Sequence, residues 1–144
     1  MSKQPTVEET INALVVETRV LESTYNELSA RQNLLERALI ENRAAVEAIK
    51  GLNELPNDEI LMQIGGGAML RSPAPSIEKV LVGVGAGVVL EKPREEAMAL
   101  LEERGKEVEK TIISIVGQRN EIAQRLNSDR QALNNLLSSQ GESE

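Results

Sequence analysis

From Val7 onward the apolar residues recur at alternating steps of four and three, through Ile11, Leu14, Leu21, Tyr25, Leu28, Leu35, Leu39, Val46 and Ile49. That spacing is the heptad repeat of a coiled-coil helix, whose first (a) and fourth (d) positions make one apolar stripe. The a positions are Ile11, Thr18, Tyr25, Gln32, Leu39 and Val46; the d positions are Val7, Leu14, Leu21, Leu28, Leu35, Asn42 and Ile49. Thr18, Gln32 and Asn42 are the polar members. Thr6 followed by Glu9 has the form of a capping box and Gly51 stands where a helix would stop, so the first helix is expected over 7–50. A second stretch of the same kind follows Pro93, with Glu95 and Glu96 favourable near the positive end of its dipole. Its a positions are Met98, Gly105, Ile112, Arg119, Leu126 and Leu133, and its d positions Leu101, Val108, Ile115, Ile122, Asp129 and Leu136. This helix is expected over 93–138, with 139–144 as a flexible tail.

Helices of about 44 residues would each extend ~65 Å, and their equal lengths point to pairing with each other. In an antiparallel hairpin, a residues of one helix face d residues of the other. The register that fits best sets Thr18 against Asp129 and Asn42 against Gly105, with Ile11 on Leu136, Leu21 on Leu126 and Leu39 on Val108. Gln32 and Arg119 fall in adjacent layers. Polar positions thus largely coincide, and buried polar groups can fix register at a cost in stability.

Between the helices, over 58–92, helical periodicity gives way to short apolar runs broken by Gly and Pro, which read as β structure. Ile60-Leu-Met-Gln-Ile-Gly-Gly-Gly-Ala-Met-Leu70 aligns at an offset of twenty with Val80-Leu-Val-Gly-Val-Gly-Ala-Gly-Val-Val-Leu90. Two successive β-hairpins account for this repeat, with glycines supplying the positive φ of each turn and Ser72-Pro-Ala-Pro-Ser76 joining them. Two-stranded hairpins are marginal in water and their edges invite pairing, so other chains are expected to cover them, within a barrel or sandwich. The expected fold class is α+β: one domain spanning 1–144, a long antiparallel coiled-coil hairpin with two short β-hairpins between its helices.

Composition changes the picture mainly by what it removes. The chain is 40% hydrophobic and 27% charged, with one Tyr and no Phe, Trp, Cys or His. Long amphipathic helices fit that balance better than a compact globule. Lack of Cys and His leaves no disulfide, no nitrogen or sulfur metal site, and no Ser-His or Cys-His nucleophile. Gly83-Val-Gly-Ala-Gly87 is not a dinucleotide fingerprint, which would need Gly where Val88 stands and a helix after it. Pairs such as Glu8-Glu9 and Glu102-Glu103 read as solvated helical faces. No enzyme, cofactor or metal is expected. The net charge of −7 argues against phosphate-directed nucleic-acid binding. No run of about 18 apolar residues could span a bilayer, and the polar start MSKQPTVEET is unlike a signal peptide, so a cytoplasmic location is expected. At the helix ends, Val15 and Val16 flank Leu14, and Leu137 follows Leu136, which is more apolar surface than a two-helix seam requires.

The order helix, two Gly-turn hairpins, helix resembles the prefoldin alpha family over nearly the whole chain. The likeness is most specific in Val80-Leu-Val-Gly-Val-Gly-Ala-Gly-Val-Val-Leu-Glu-Lys92 and the following Glu95-Glu-Ala97. Two hairpins rather than one look like the alpha rather than the beta type. Pro73, Pro75 and the helical Gly105 are local departures. The resemblance implies an ATP-independent chaperone of two alpha-type and four beta-type subunits, whose strands assemble into an intersubunit β-barrel. It implies platform residues Ile60, Met62, Ile64, Met69, Val80, Val82, Val84, Val88 and Leu90. It implies unfolded polypeptides held at the coiled-coil tips, by Val7, Ile11, Leu14, Val15, Val16, Leu133, Leu136 and Leu137, and passed to a group II chaperonin. A non-chaperone coiled-coil scaffold, or a prefoldin-like assembly subunit, is the alternative.

Overall fold

The computed structural model describes residues 3–52 and 58–142. Its elements are α1 (Val7–Gly51), β1 (Glu59–Gly65), β2 (Ala68–Pro73), β3 (Lys79–Gly85), β4 (Val88–Pro93) and α2 (Arg94–Glu142). The chain divides into two compact units, Met1–Glu36 with Lys110–Glu144, and Arg37–Glu109; both helices contribute to both.

Helix α1 begins at the capping box. The Glu9 amide donates to Thr6 Oγ1 at 3.1 Å and the Thr6 amide to Glu9 Oε2 at 3.0 Å, so two amides with no partner in the helix are satisfied reciprocally. Every assigned seam residue from Ile11 to Ile49 and from Met98 to Leu136 is at least partly buried; Val7, the first, is exposed. Helix α2 differs from expectation at both ends. Pro93 closes β4 opposite Lys79 instead of opening the helix; at the end of a strand its missing N–H costs no ladder bond. The helix continues through 139–142, expected as tail, because Ser138, Ser139 and Gln140 are tolerable helix formers and Gly141 is the first strong breaker. The rest of the expected tail, 143–144, lies outside the described residues.

Each unit carries its own evidence of antiparallel pairing. In the unit of Met1–Glu36 and Lys110–Glu144, Arg125 Nε lies 2.7 Å from Glu17 and Arg130 Nη2 lies 2.6 Å from Glu22. In the unit of Arg37–Glu109, Arg43 pairs with Glu109, and Lys50 lies 4.0 Å from Glu102. Three of these four pairs join e positions to e positions and one joins g to g, flanking the seam as antiparallel helices require.

The hairpins repeat their backbone as well as their sequence. β1 pairs with β2 and β3 with β4 in two separate antiparallel two-stranded sheets. The turns are Gly66-Gly67, with φ of 60° and 80°, and Ala86-Gly87, with 52° and 76°. Positive φ at both central residues is the type I′ hairpin turn. A bulge precedes each turn, where the register skips Ile64 in β1 and Val84 in β3. Even the closing bonds correspond, from the Ala74 amide to Asp58 O and from the Arg94 amide to Glu78 O.

Asn42 and Gly105 meet as the seam register requires. Asn42 Nδ2 donates to the Leu101 carbonyl at 2.8 Å, and a Cβ on Gly105 would lie 2.6 Å from Asn42 Oδ1. Glycine inside a helix costs about 1 kcal/mol relative to alanine; here it makes room for the amide. Gly105→Ala should therefore lower the thermal stability of the protein, whereas in an Asn42→Ala background the same substitution should raise it by about 1 kcal/mol. Equal effects in both backgrounds would break this assignment.

Candidate functional site

The seam uses up most of the apolar residues at the helix ends. Ile11, Leu14, Val15, Leu133 and Leu136 are partly buried, while Val7, Val16 and Leu137 are exposed by 49%, 60% and 53%. Val20, one turn beyond Val16, is equally exposed although not expected as a contact residue. Seam assignment identifies what is covered; an apolar residue at an outer heptad position was the signal that could have found it.

Behind these residues lies a polar cluster. Asp129 is a d residue only 5% exposed, and its carboxyl is pushed above the ordinary aspartate value, first by desolvation and then by Glu17. Glu17 is held below the ordinary glutamate value by its hydrogen bond to Arg125 and then by Asp129. Arg125 Nε lies 3.6 Å from Asp129 Oδ1, while Asp129 Oδ2 and the neighbouring Thr18 Oγ1 are buried without hydrogen bonds. Farther along the same unit Arg119, an a residue, donates to Gln32 and, at 2.8 Å, to the Tyr25 hydroxyl. Its guanidinium carbon lies 4.8 Å from the Tyr25 ring centroid, so aromatic and amide partners carry this charge.

The expected platform residues are unequally placed. Met62, Ile64, Met69, Val84, Val88 and Leu90 are exposed, Ile60 and Val80 are partly buried, and Val82 is buried within its own chain. Arg104 Nη2 of α2 donates to the Gly83 carbonyl at 2.7 Å, which fixes β3 against the helix. Among the described residues no group of three or more His, Cys, Asp or Glu is placed to hold a metal, and no helix is long and apolar enough to cross a membrane.

Paired helices bracketing two hairpins, with apolar side chains left uncovered on the strands and at the helix ends, define a coiled-coil protein of α+β fold. The prefoldin family model, described as prefoldin subunit, matches residues 21–138. The chain is 33% identical over 130 residues to prefoldin subunit alpha of Nitrosopumilus maritimus, covering 90% of each. It is 32% identical over 123 residues to prefoldin subunit alpha of Methanoculleus marisnigri, covering 80% of this chain and 83% of that one. A chain in the cryo-EM structure of filamentous PFD from Methanocaldococcus jannaschii shares the fold, with a TM-score of 0.51 at 20% identity, over 84% of this chain and 95% of that one. The chain belongs to the prefoldin family, in its alpha branch, and is a chaperone subunit.

The carboxyl pair makes the coiled coil respond to pH in two opposed ways. Because the Asp129 pKa is raised on folding, its ionisation costs stability, and lowering the pH through that raised value relieves the cost. The Glu17 pKa is lowered, so its contribution is present above the ordinary 4.5 and lost as the pH falls through the folded value. Asp129→Asn should raise the melting temperature at pH 7 by an amount that shrinks on acidification, whereas Glu17→Gln should lower it at pH 7 with a loss that fades in acid. A gain from Asp129→Asn that is independent of pH would show that burial of this carboxylate carries no cost.

Proposed function

We propose that the chain assembles through its strands with beta-type prefoldin subunits, two alpha with four beta, in the cytoplasm. There it holds unfolded polypeptides at the first turns of α1 and the last turns of α2, without nucleotide. Clients then pass to a group II chaperonin. The observation that carries the holding activity is that Val16 and Leu137 stand exposed outside the seam and that Val7, its first d residue, is exposed as well. Ile11, Leu14, Val15, Leu133 and Leu136 hold the helices together at the same place and present only their outer edges to a client.

Burying one such aliphatic side chain contributes ~1.5–3 kcal/mol before the costs of ordering the client. A single arm would bind weakly. Several arms tethered to one platform would combine through effective concentration, so a client is retained without a deep pocket and released without hydrolysis. Because unfolded chains expose scattered apolar groups, this surface needs no sequence match.

Replacing Val7, Val16 and Leu137 with Ser, in a complex whose other arms carry equivalent substitutions, should weaken client binding by about tenfold or more, corresponding to ~1.4 kcal/mol or more. Helical content and complex mass should stay unchanged. Light scattering of an aggregating client is the measurement, and undiminished protection by the substituted complex would reject the helix ends as the holding surface.

A further inference from the structure

The twenty-residue repeat makes the two hairpins a matched pair, position by position, yet their surroundings differ. Val82 is 4% exposed and its counterpart Met62 is 47% exposed. The Gly83 carbonyl accepts a hydrogen bond from Arg104 of α2; among the described residues no helix side chain bonds the backbone of its counterpart Gln63. β4 runs into α2 with no intervening residue, and Ala97 in the first turns of that helix is fully buried. β1–β2, in contrast, is set off from α1 by seven residues and from β3 by five.

An isolated two-stranded hairpin is marginal in water, and packing against a helix is one of the few things that stabilises it. β3–β4 has that support. β1–β2 lacks it at the matching place: Met62 is exposed where Val82 is buried, while Ile64, Met69 and Leu70 are exposed as are their counterparts Val84, Val89 and Leu90, and each sheet has only two strands with both edges open. Open edges carry rows of backbone N–H and C=O groups, and what satisfies such rows while covering apolar side chains is another strand. The partner that fits is therefore a strand-bearing subunit.

We infer that β3–β4 is preformed on α2, whereas β1–β2 becomes ordered only when strands of a neighbouring subunit cover its apolar side chains and edges. This rests on the strand-mediated assembly proposed above and adds a division of labour. β3–β4 is the template that a partner meets, and β1–β2 is the flap that closes on it.

Amide hydrogen exchange read hairpin by hairpin tests this, first in the full chain at a concentration where native mass spectrometry shows a monomer, then in complex with beta-type subunits. In the monomer, β3 and β4 should exchange at least about tenfold more slowly than β1 and β2, since local opening follows local support. On assembly β1 and β2 should slow by the larger factor. Arg104→Gln should speed exchange in monomeric β3 and leave β1 unchanged. Equal protection of both hairpins in the monomer, or no response of β3 to Arg104→Gln, would overturn the inference. Equal gains in both hairpins on assembly would overturn the division of labour alone, whereas a complex in which neither hairpin gains protection would overturn strand-mediated assembly itself.

Discussion

The seam between α1 and α2 is only one layer of side chains deep, and much else follows from that constraint. Buried apolar residues among those described are few, namely Val46, Ile49, Val82, Ala97, Ile115 and Leu126. An aliphatic seam of this kind tolerates sliding, because a shift of one heptad sets apolar side chains against apolar side chains again. Polar seam residues do not tolerate it. Asn42 requires the space left by Gly105 and the carbonyl of Leu101, and Arg119 requires Gln32 and Tyr25. A shifted register would take these particular partners away from Asn42 and Arg119, and a buried polar group left unpaired costs more than a lost aliphatic contact. The polar layers thus tie the seam to partners specific to this register, at a local cost where Thr18 and Asp129 are left with unbonded oxygens.

The hairpins meet the opposite problem. Their geometry is set tightly by short-range chemistry, two I′ turns and two bulges at matching places, but they bury little within the chain. Ala86 adopts the positive φ that glycine takes at Gly66, a conformation with a modest steric cost for a residue bearing Cβ. Local geometry decides where each strand points, and stability must come from what covers it. For β3–β4 part of that cover is α2, which bonds Gly83 through Arg104; in β1–β2 no residue is fully buried, and only Ile60 and Ser72 are partly so.

This difference also marks where sequence stops being informative. The heptads were legible because a period of seven persists over forty residues and needs only the positions of Leu, Ile and Val; equal lengths pointed to pairing, and the coincidence of polar layers to its register. The repeat from Ile60 to Leu90 likewise showed two hairpins. Yet the repeat makes Met62 and Val82 look equivalent, and only the structure separates them, with Val82 buried and the adjacent Gly83 bonded to Arg104 of α2. Arg104 sits outside the a and d positions, where a charged residue reads as solvated. Val20, by contrast, was open to reading from its outer heptad position alone.

Side-chain chemistry at the exposed positions bears directly on the holding activity proposed for this chain. Its single aromatic residue, Tyr25, is engaged with Arg119 in the seam, so the exposed apolar side chains at the helix ends are all aliphatic. Aromatic anchors dominate tight, specific interfaces because one ring buries a large area in a fixed geometry. Valine and leucine on an open helix face bury less, impose no orientation, and let go readily. Affinity then depends on how many arms engage at once, which rises with the amount of apolar chain a client exposes and falls as it folds. For a holder without nucleotide-driven release, weak aliphatic contacts are therefore a requirement: the client's own burial of its apolar groups supplies the free energy for departure.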